Sequence, residues 1–102
     1  MLRFYIHYGL HFVLPLAIAL FVFRKNWLKA YLVMLSAFII DLDHLLADPI
    51  FDPNRCSINF HPLHSYYAIA VYLVLIIPRS TRIFAIGLLA HIIADGADCL
   101  LI

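Results

Sequence analysis

The chain consists of long apolar stretches separated by three short polar interruptions. A helix needs roughly 20 apolar residues to cross the hydrocarbon core of a bilayer, about 30 Å thick, and only the third stretch, with about sixteen residues, is shorter than this. The pattern predicts an all-α integral membrane protein, a four-helix bundle that runs up-down-up-down as a single domain over residues 1–102. The predicted helices cover about residues 4–23, 27–47, 62–77 and 83–102.

Local signals place the ends of these helices. Arg24 and Lys25 close the first helix. Pro62 suits the first turn of the short third helix, where its missing N–H is no loss, and Pro78 follows the end of that helix. Pro15 lies inside the first helix and removes one backbone hydrogen bond, so a kink is expected there.

The composition agrees with lipid as the solvent. Hydrophobic residues make up 66% of the chain and charged residues 13%, whereas soluble domains are near half apolar and a quarter charged. A globule of this size exposes too much surface to bury such an excess. The formal net charge of +1 offers no basic patch for nucleic acid, and two cysteines do not make a disulfide framework.

The cations predict the orientation of the bundle. Arg24, Lys25 and Lys29 flank the first turn, and Arg79 and Arg82 flank the third. Lys and Arg in short loops mark the cytoplasmic side of a membrane protein. Since these two turns lie at the same end of an up-down bundle, both termini are expected on the outer side.

In this topology the His and Asp residues all fall on the outer side of the membrane. The chain has six His and six acidic residues, all of the latter Asp. Ionisable groups at membrane depth are costly, so they face the bundle interior, are paired and mark a function. Several pairs have the three- or four-residue spacing that puts side chains on one helix face. These pairs are His7 with His11, Asp41 with His44, His91 with Asp95, and Asp95 with Asp98.

A divalent metal ion would explain this concentration of His and Asp. Several carboxylates together repel one another, and only Arg3 and Arg55 are available as cations on that side. Imidazole with carboxylate suits zinc, manganese or iron. Each of these His and Asp motifs, taken alone, also fits a buried His bonded to a carboxylate or a solvated helix end. Taken together, the motifs predict a metal site. Asp48 and Asp52 are interpreted as turn residues.

Cys56 and Cys99 both lie on the outer side in this topology. A disulfide between them requires an oxidising compartment. Their separation in sequence says nothing about their distance in the fold, and the expectation is two thiols that pack in the interior.

The same residues carry a resemblance to a known family. Asp41-Leu42-Asp43-His44 closes a hydrophobic helix, His64-Ser65 opens the next, and His91-Ile92-Ile93-Ala94-Asp95 comes late, after an early His7 or His11. This order resembles bacterial membrane-bound, metal-dependent hydrolases, some of them LexA-regulated, which are distantly similar to the zinc-dependent phospholipase C and single-strand nuclease superfamily. The resemblance implies a metal-dependent hydrolase in the bacterial inner membrane, and the orientation predicted from the cations puts its polar site on the periplasmic side.

Two or three metal ions, with zinc expected and manganese or iron as alternatives, suit hydrolysis of a phosphate ester. A site just inside the outer leaflet favours a phospholipid or a lipid-linked phosphate as substrate. Catalytic roles are expected for Asp41, Asp43 and His44, and binding of the substrate phosphate for Arg55. The predicted metal ligands, including second-sphere candidates, are His7, His11, Asp41, Asp43, His44, His61, His64, His91 and Asp95.

Other functions fit parts of the pattern. Facing His residues could ligate haem for electron transfer, although haem needs no Asp. Chains of Asp and His also build metal-ion or proton pathways, but the cytoplasmic half has only Ser36 as a polar group in mid-membrane. A di-iron oxygenase uses the same ligand types, and the site could bind metal without hydrolysis. A chain with so little interior could also form a homo-oligomer.

Overall fold

The structure is a computed structural model that describes residues 2–46, 56 and 58–100. These residues form four α-helices and no strand, so the all-α class is confirmed for them. The helices are α1 (Leu2–Val22), α2 (Trp27–Leu35), α3 (Tyr66–Val74) and α4 (Arg79–Leu100). Three stretches of 3-10 helix complete the order, at Arg24–Asn26, Ser36–Leu46 and Pro62–His64.

Helix α1 runs through Pro15 without interruption over 21 residues. At 1.5 Å per residue this is about 31 Å. The last bond of the helical pattern runs from the Phe23 N–H to the Ala19 carbonyl at 3.0 Å. The Arg24–Asn26 turn then leads into α2. Because α1 packs against α2 and α4, it brings its two His residues to the side of the central helix.

The second predicted helix, residues 27–47, has two parts in the structure. Its first part is α2, which continues into a 3-10 helix of 11 residues, Ser36–Leu46. We call this segment the long 3-10 helix. Residues three apart eclipse one another in a 3-10 helix, and Ala37, Ile40 and Asp43 accordingly form one buried row, each with at most 4% exposure. This register carries Asp43 into the interior and leaves Asp41 at the edge.

The third predicted helix, residues 62–77, is shorter and divided in the structure. The Pro62–His64 turn is followed by Ser65, whose backbone is extended, and then by the nine residues of α3. The Ser65 hydroxyl oxygen accepts the Ala68 N–H at 3.2 Å, which is an N-cap. The helix therefore begins at Tyr66, and Pro62 opens the 3-10 turn instead.

Helix α4 begins at Arg79, four residues before the expected start near residue 83. Arg82 donates from Nε to the Ile76 carbonyl at 2.8 Å and from Nη2 to the Ile77 carbonyl at 2.9 Å. Thr81 donates its hydroxyl to the Leu75 carbonyl at 2.6 Å. These bonds satisfy the last carbonyls after α3, so the first turn of α4 also closes the preceding connection.

Helix α4 is the central element of the bundle because it contacts α1, α2, α3 and the long 3-10 helix. Gly87 allows α4 to approach α2 closely, since a Cβ at Gly87 would lie 2.6 Å from the Cα of Met34. The core has two parts, one toward each end of the bundle. The buried residues are Ala19, Ala30 and Met34 in one part and Ala37, Ile40, Tyr72, Leu88 and Ile92 in the other.

Among the residues that the structure describes, two helices are long and apolar enough to cross a membrane, Tyr5–Val22 and Arg79–Leu100. This is a statement of length and composition, and a buried core helix or a signal sequence has the same properties. The α1 window is 17% buried and the α4 window 44%. Much of the apolar surface of α1 therefore faces away from the bundle.

Cys56 and Cys99 form a disulfide, with their Cα atoms 4.9 Å apart. The expectation of two packing thiols was wrong. The bridge joins Cys56, six residues before the Pro62–His64 turn, to the last turn of α4. It ties this connection to the helix that carries His91 and Asp95.

Candidate metal centre

Four elements bring His and Asp side chains together at one end of the bundle. Helix α1 contributes two residues, the long 3-10 helix two, the Pro62–His64 turn one and α4 two. Most of these side chains are almost fully buried, which is unusual for ionisable groups unless they are paired or bind a metal. The buried members are His11, Asp43, His64, His91 and Asp95, each at 4% exposure or less.

The first group with metal-binding geometry is Asp41, His64, His91 and Asp95. One ligand atom from each lies within 4.8 Å of all the others. His64 Nε2 is 2.9 Å from Asp95 Oδ2 and 3.5 Å from Asp41 Oδ1. His91 Nε2 is 2.9 Å from Asp41 Oδ1 and 3.2 Å from Asp95 Oδ2. Tetrahedral zinc with bonds of about 2.0–2.1 Å places its ligand atoms roughly 3.3 Å apart, so these distances fit such an ion.

The second group is His7, His11 and Asp95. The two imidazoles follow one another by one turn of α1, and their ring centroids are 4.3 Å apart. His11 Nε2 lies 3.0 Å from Asp95 Oδ1. This group thus provides two imidazoles and one carboxylate.

Asp95 belongs to both groups, and its two oxygens divide between them. Oδ1 faces His11 on α1, while Oδ2 faces His64 and His91. The four-residue spacing from His91 to Asp95 puts both side chains on one face of α4. A carboxylate in this position can bind one ion through each oxygen.

The imidazole rings of His11 and His64 are each held by a hydrogen bond from Nδ1, the ring nitrogen that faces away from the two groups. His64 Nδ1 donates to Asp43 Oδ2 at 2.8 Å, and His11 Nδ1 donates to the His7 carbonyl at 2.6 Å. Because both acceptors can only accept, each ring carries a proton on Nδ1, and its Nε2 is the nitrogen that would bind an ion in the interior. Metal-bound His residues make this arrangement with their second nitrogen.

Two buried ligand atoms have close neighbours but no hydrogen bond. Within residues 2–46, 56 and 58–100, His11 Nε2 and Asp95 Oδ2 have no hydrogen-bond partner, although His11 Nε2 lies 3.0 Å from Asp95 Oδ1 and Asp95 Oδ2 lies 2.9 Å from His64 Nε2. Buried polar atoms without a hydrogen bond are rare. These contacts therefore resemble the edges of a coordination sphere, where lone pairs point at a common ion and not at one another.

The site has an apolar floor and a half-exposed rim. The Phe38 ring stacks on His11 with centroids 5.5 Å apart and meets His91 edge-on at 5.2 Å. On the opposite side, the Asp41 side chain is 40% exposed and the His7 side chain 27%. Water and a substrate would thus approach past Asp41 and His7.

A comparison with protein families identifies the chain. A family model matches residues 1–102. The chain belongs to DUF6122, a family of unknown function. No curated protein and no solved structure matches it. The resemblance to membrane-bound metal-dependent hydrolases therefore stays a prediction from the sequence.

The DUF6122 chain brings together most of the ligands that the sequence predicted. Asp43 lies outside the two groups. It accepts the His64 Nδ1–H and also accepts the Leu63 N–H at 3.0 Å. His61 is 2% exposed, and its ring centroid is 5.7 Å from that of His64. The side chain of His44 and the whole of Asp48, Asp52 and Arg55 lie outside the described residues. The predicted ligands that meet are His7, His11, Asp41, His64, His91 and Asp95.

Three further residues support the site and were not among the predicted site residues. Asp98 Oδ2 lies 3.7 Å from His7 Nδ1, and its position one turn after Asp95 was the available signal. Phe38 precedes Asp41 by three residues, which share a face in a 3-10 helix. Tyr72 donates its hydroxyl to the Leu63 carbonyl at 2.7 Å and so holds the turn that carries His64, a contact with no sequence signal.

Proposed function

We propose that this chain is a membrane-embedded, metal-dependent hydrolase that uses two metal ions to cleave a phosphate ester of a phospholipid or a lipid-linked substrate. The observation that carries the proposal is the position of Asp95, whose two oxygens face two separate groups of ligands. Enzymes that hydrolyse phosphate esters commonly hold two ions about 3.5–4 Å apart. A carboxylate shared between the groups sets such a separation.

In this proposal one ion binds Asp41, His64, His91 and Asp95, and the other binds His7, His11 and Asp95. Zinc is the ion we propose, since it takes four nitrogen and oxygen ligands at such distances. Manganese and iron accept the same donors. The two positions are unequal because the first has four protein ligands and the second three. The three residues His7, His11 and Asp95 would therefore hold the second ion less firmly and would leave room for a water.

The surrounding residues support the chemistry in distinct ways. The ions would make a bound water nucleophilic at neutral pH and stabilise the charge that develops on the phosphate. Asp43 keeps the His64 ring in place through Nδ1. Phe38 separates the ligands from solvent on the inner side. The exposed edge at Asp41 leaves room for the phosphate of a substrate.

The surface of the molecule supports membrane embedding and an amphiphilic substrate. Large apolar side chains are exposed on several elements, with Phe21 at 75%, Leu46 at 78% and Tyr67 at 88%. Extended apolar patches of this kind mark membrane or protein interfaces. The disulfide between Cys56 and Cys99 favours an oxidising compartment at the metal-binding end. This agrees with a periplasmic site and with cations on the cytoplasmic side.

The metal centre is tested by elemental analysis of the purified protein beside His91→Ala and His61→Gln variants. His61 is the matched control, because it is a buried His at the same end but outside both groups. We expect two ions per chain in the wild type, at most one in His91→Ala, and two in His61→Gln. Undiminished metal in His91→Ala would refute the site, and near-stoichiometric iron would favour the oxygenase.

Hydrolysis requires a separate test with a panel of phospholipids and lipid-linked phosphates. We expect release of phosphate or headgroup that a chelator abolishes, zinc restores and His91→Ala lacks. Bound metal without turnover on any member of the panel would refute the hydrolase and leave a metal-binding membrane protein.

A further inference from the structure

A cavity of about 510 Å³ lies at the opposite end of the bundle from the metal-binding groups. It is formed by the end of α1, the Arg24–Asn26 turn, the start of α2 and one residue of α4. Its lining combines apolar and cationic residues. The apolar residues that matter here are Phe21, Val22 and Ile83, and the cations are Arg24, Lys25 and Lys29.

The cations of this cavity have no acidic residues near them in the sequence. Every Asp lies within residues 41–52 or 95–98, and the chain has no Glu. Along α1, His7 and Val22 are separated by 15 residues, or about 22 Å, so the carboxylates around His7 lie well beyond the screening length of about 10 Å. The cavity thus has a positive charge that the Asp cluster does not neutralise.

Two apolar residues of the cavity are exposed. Phe21 is 75% exposed and Val22 64% exposed, directly beside the three cations. A small free anion would use the cations and leave these side chains uncovered. A ligand with a negative head and a hydrocarbon chain would use both the cations and the apolar residues.

We propose that this cavity binds one anionic phospholipid, with its phosphate on Arg24, Lys25 and Lys29 and an acyl chain against Phe21 and Val22. The cation-rich end is the cytoplasmic end of the proposed topology, and that leaflet carries the anionic lipids. The inference rests on the membrane location in the proposed function but is independent of the metal centre and of hydrolysis. This lipid is a bound ligand, far from the catalytic groups.

The test is native mass spectrometry of the full chain in neutral detergent with two lipid probes, dioleoylphosphatidylglycerol and dioleoylphosphatidylcholine. Their acyl chains are identical, so a difference reports recognition of the head. A cation near an anionic lipid surface contributes roughly fivefold to binding. We expect at least about tenfold tighter binding of phosphatidylglycerol, because three cations act together.

Lys29→Gln and Arg79→Gln form a matched pair, since both remove one exposed cation at the same end and only Lys29 lines the cavity. We expect Lys29→Gln to weaken phosphatidylglycerol binding about fivefold and Arg79→Gln to leave it unchanged. Equal losses in both variants would show attraction to overall charge and overturn the site. Equal binding of the two lipids, or displacement of phosphatidylglycerol by millimolar inorganic phosphate, would overturn it as well.

The outcome is separable from that of the proposed function. Extraction of membranes with alkaline carbonate reports whether the chain is embedded, and elemental analysis of the same samples reports the metal centre. An embedded, metal-loaded chain that does not distinguish the two lipids would refute only the lipid site.

Discussion

At Asp95, a single carboxylate contacts His side chains from two other elements, α1 and the Pro62–His64 turn, and His91 of its own helix. Its Oδ1 is 3.0 Å from His11 Nε2, and its Oδ2 is 2.9 Å from His64 Nε2. Asp95→Asn keeps the shape of the side chain but removes the charge that balances two ions. We expect the metal content to fall from two ions per chain to less than one, whereas His11→Ala should lose only the second ion. Elemental analysis measures both, and an equal loss of one ion in the two variants would contradict the shared position.

In the proposed metal centre, Asp43 would act on the metal through His64. It accepts both the His64 Nδ1–H and the Leu63 N–H, which fixes the ring and its turn. Loss of such a partner lowers metal affinity by roughly 10–100-fold. We therefore expect Asp43→Asn to weaken binding of the first ion by this factor while saturating zinc restores full occupancy.

Metal titration measures this change, and Asp98→Asn is its control because Asp98 contacts His7 of the second group. The control should leave the affinity of the first ion unchanged. Unaltered affinity in Asp43→Asn would mean that His64 is held by the turn alone.

Among the elements, the contact of α2 with α4 depends on Gly87. A Cβ at this position would meet the Met34 backbone at 2.6 Å and 2.8 Å, and backbone atoms cannot move aside alone. Overpacking of this kind costs typically 1–3 kcal/mol, and we expect about that loss of stability for Gly87→Ala.

Gly96→Ala is the matched control in the same helix, because a Cβ there meets nothing within 4 Å. Ala is favoured over Gly in a helix by up to about 1 kcal/mol, so this variant should be neutral or more stable. Unfolding in detergent by denaturant or heat measures both variants. Equal stability of the two would refute the close approach at Gly87.

The pattern of apolar stretches predicted the all-α class and the ends of α1 well, because long periodic segments have strong signals. It did not predict the long 3-10 helix, since three-residue and four-residue periods are hard to separate over 11 residues. This matters for the site, because residues three apart share a face in a 3-10 helix and this register buries Asp43 with Ala37 and Ile40. In this position Asp43 contacts His64 Nδ1 and lies outside the two groups, and its role as a metal ligand stays a prediction.

The His and Asp positions on regular α-helices were the predictable part of the site. The spacing of His7 with His11 and of His91 with Asp95 places each pair on one helix face, and the structure brings both pairs together. The pairing of Asp41 with His91, fifty residues apart, and the bridge of Cys56 with Cys99 depend on tertiary packing. Sequence spacing carries no information on either.

At the scale of the molecule, the proposed metal site would connect the four elements that contribute its His and Asp side chains. An ion that binds only the folded chain stabilises it by about 2.7 kcal/mol when present at 100 times its dissociation constant. We expect a chelator to lower the melting temperature of the wild type and zinc to restore it. Asp95→Asn should show no such response, and a chelator effect of equal size in that variant would show that the metal acts elsewhere.

The disulfide closes a segment with a sequence separation of 43 residues. A cross-link over such a loop restricts the unfolded chain and contributes about 4 kcal/mol in the chain-entropy model. We expect the double variant Cys56→Ser, Cys99→Ser to lose stability of this order and to be insensitive to reductant. Denaturant unfolding with and without reductant measures it, and a wild type that does not respond to reductant would contradict the prediction.

The short α3 gives the bundle an uneven height. Helices α1 and α4 have 21 and 22 residues, about 31 and 33 Å, while α3 has nine, about 14 Å. In a bilayer, the length of α1 would match the thickness of the hydrocarbon core, whereas α3 would be much shorter than that thickness. The membrane would thin locally, or the bundle would tilt, on that side. Either adjustment lowers the headgroups toward the Pro62–His64 turn, where His64 lies, and shortens the path of a lipid phosphate to the metal centre.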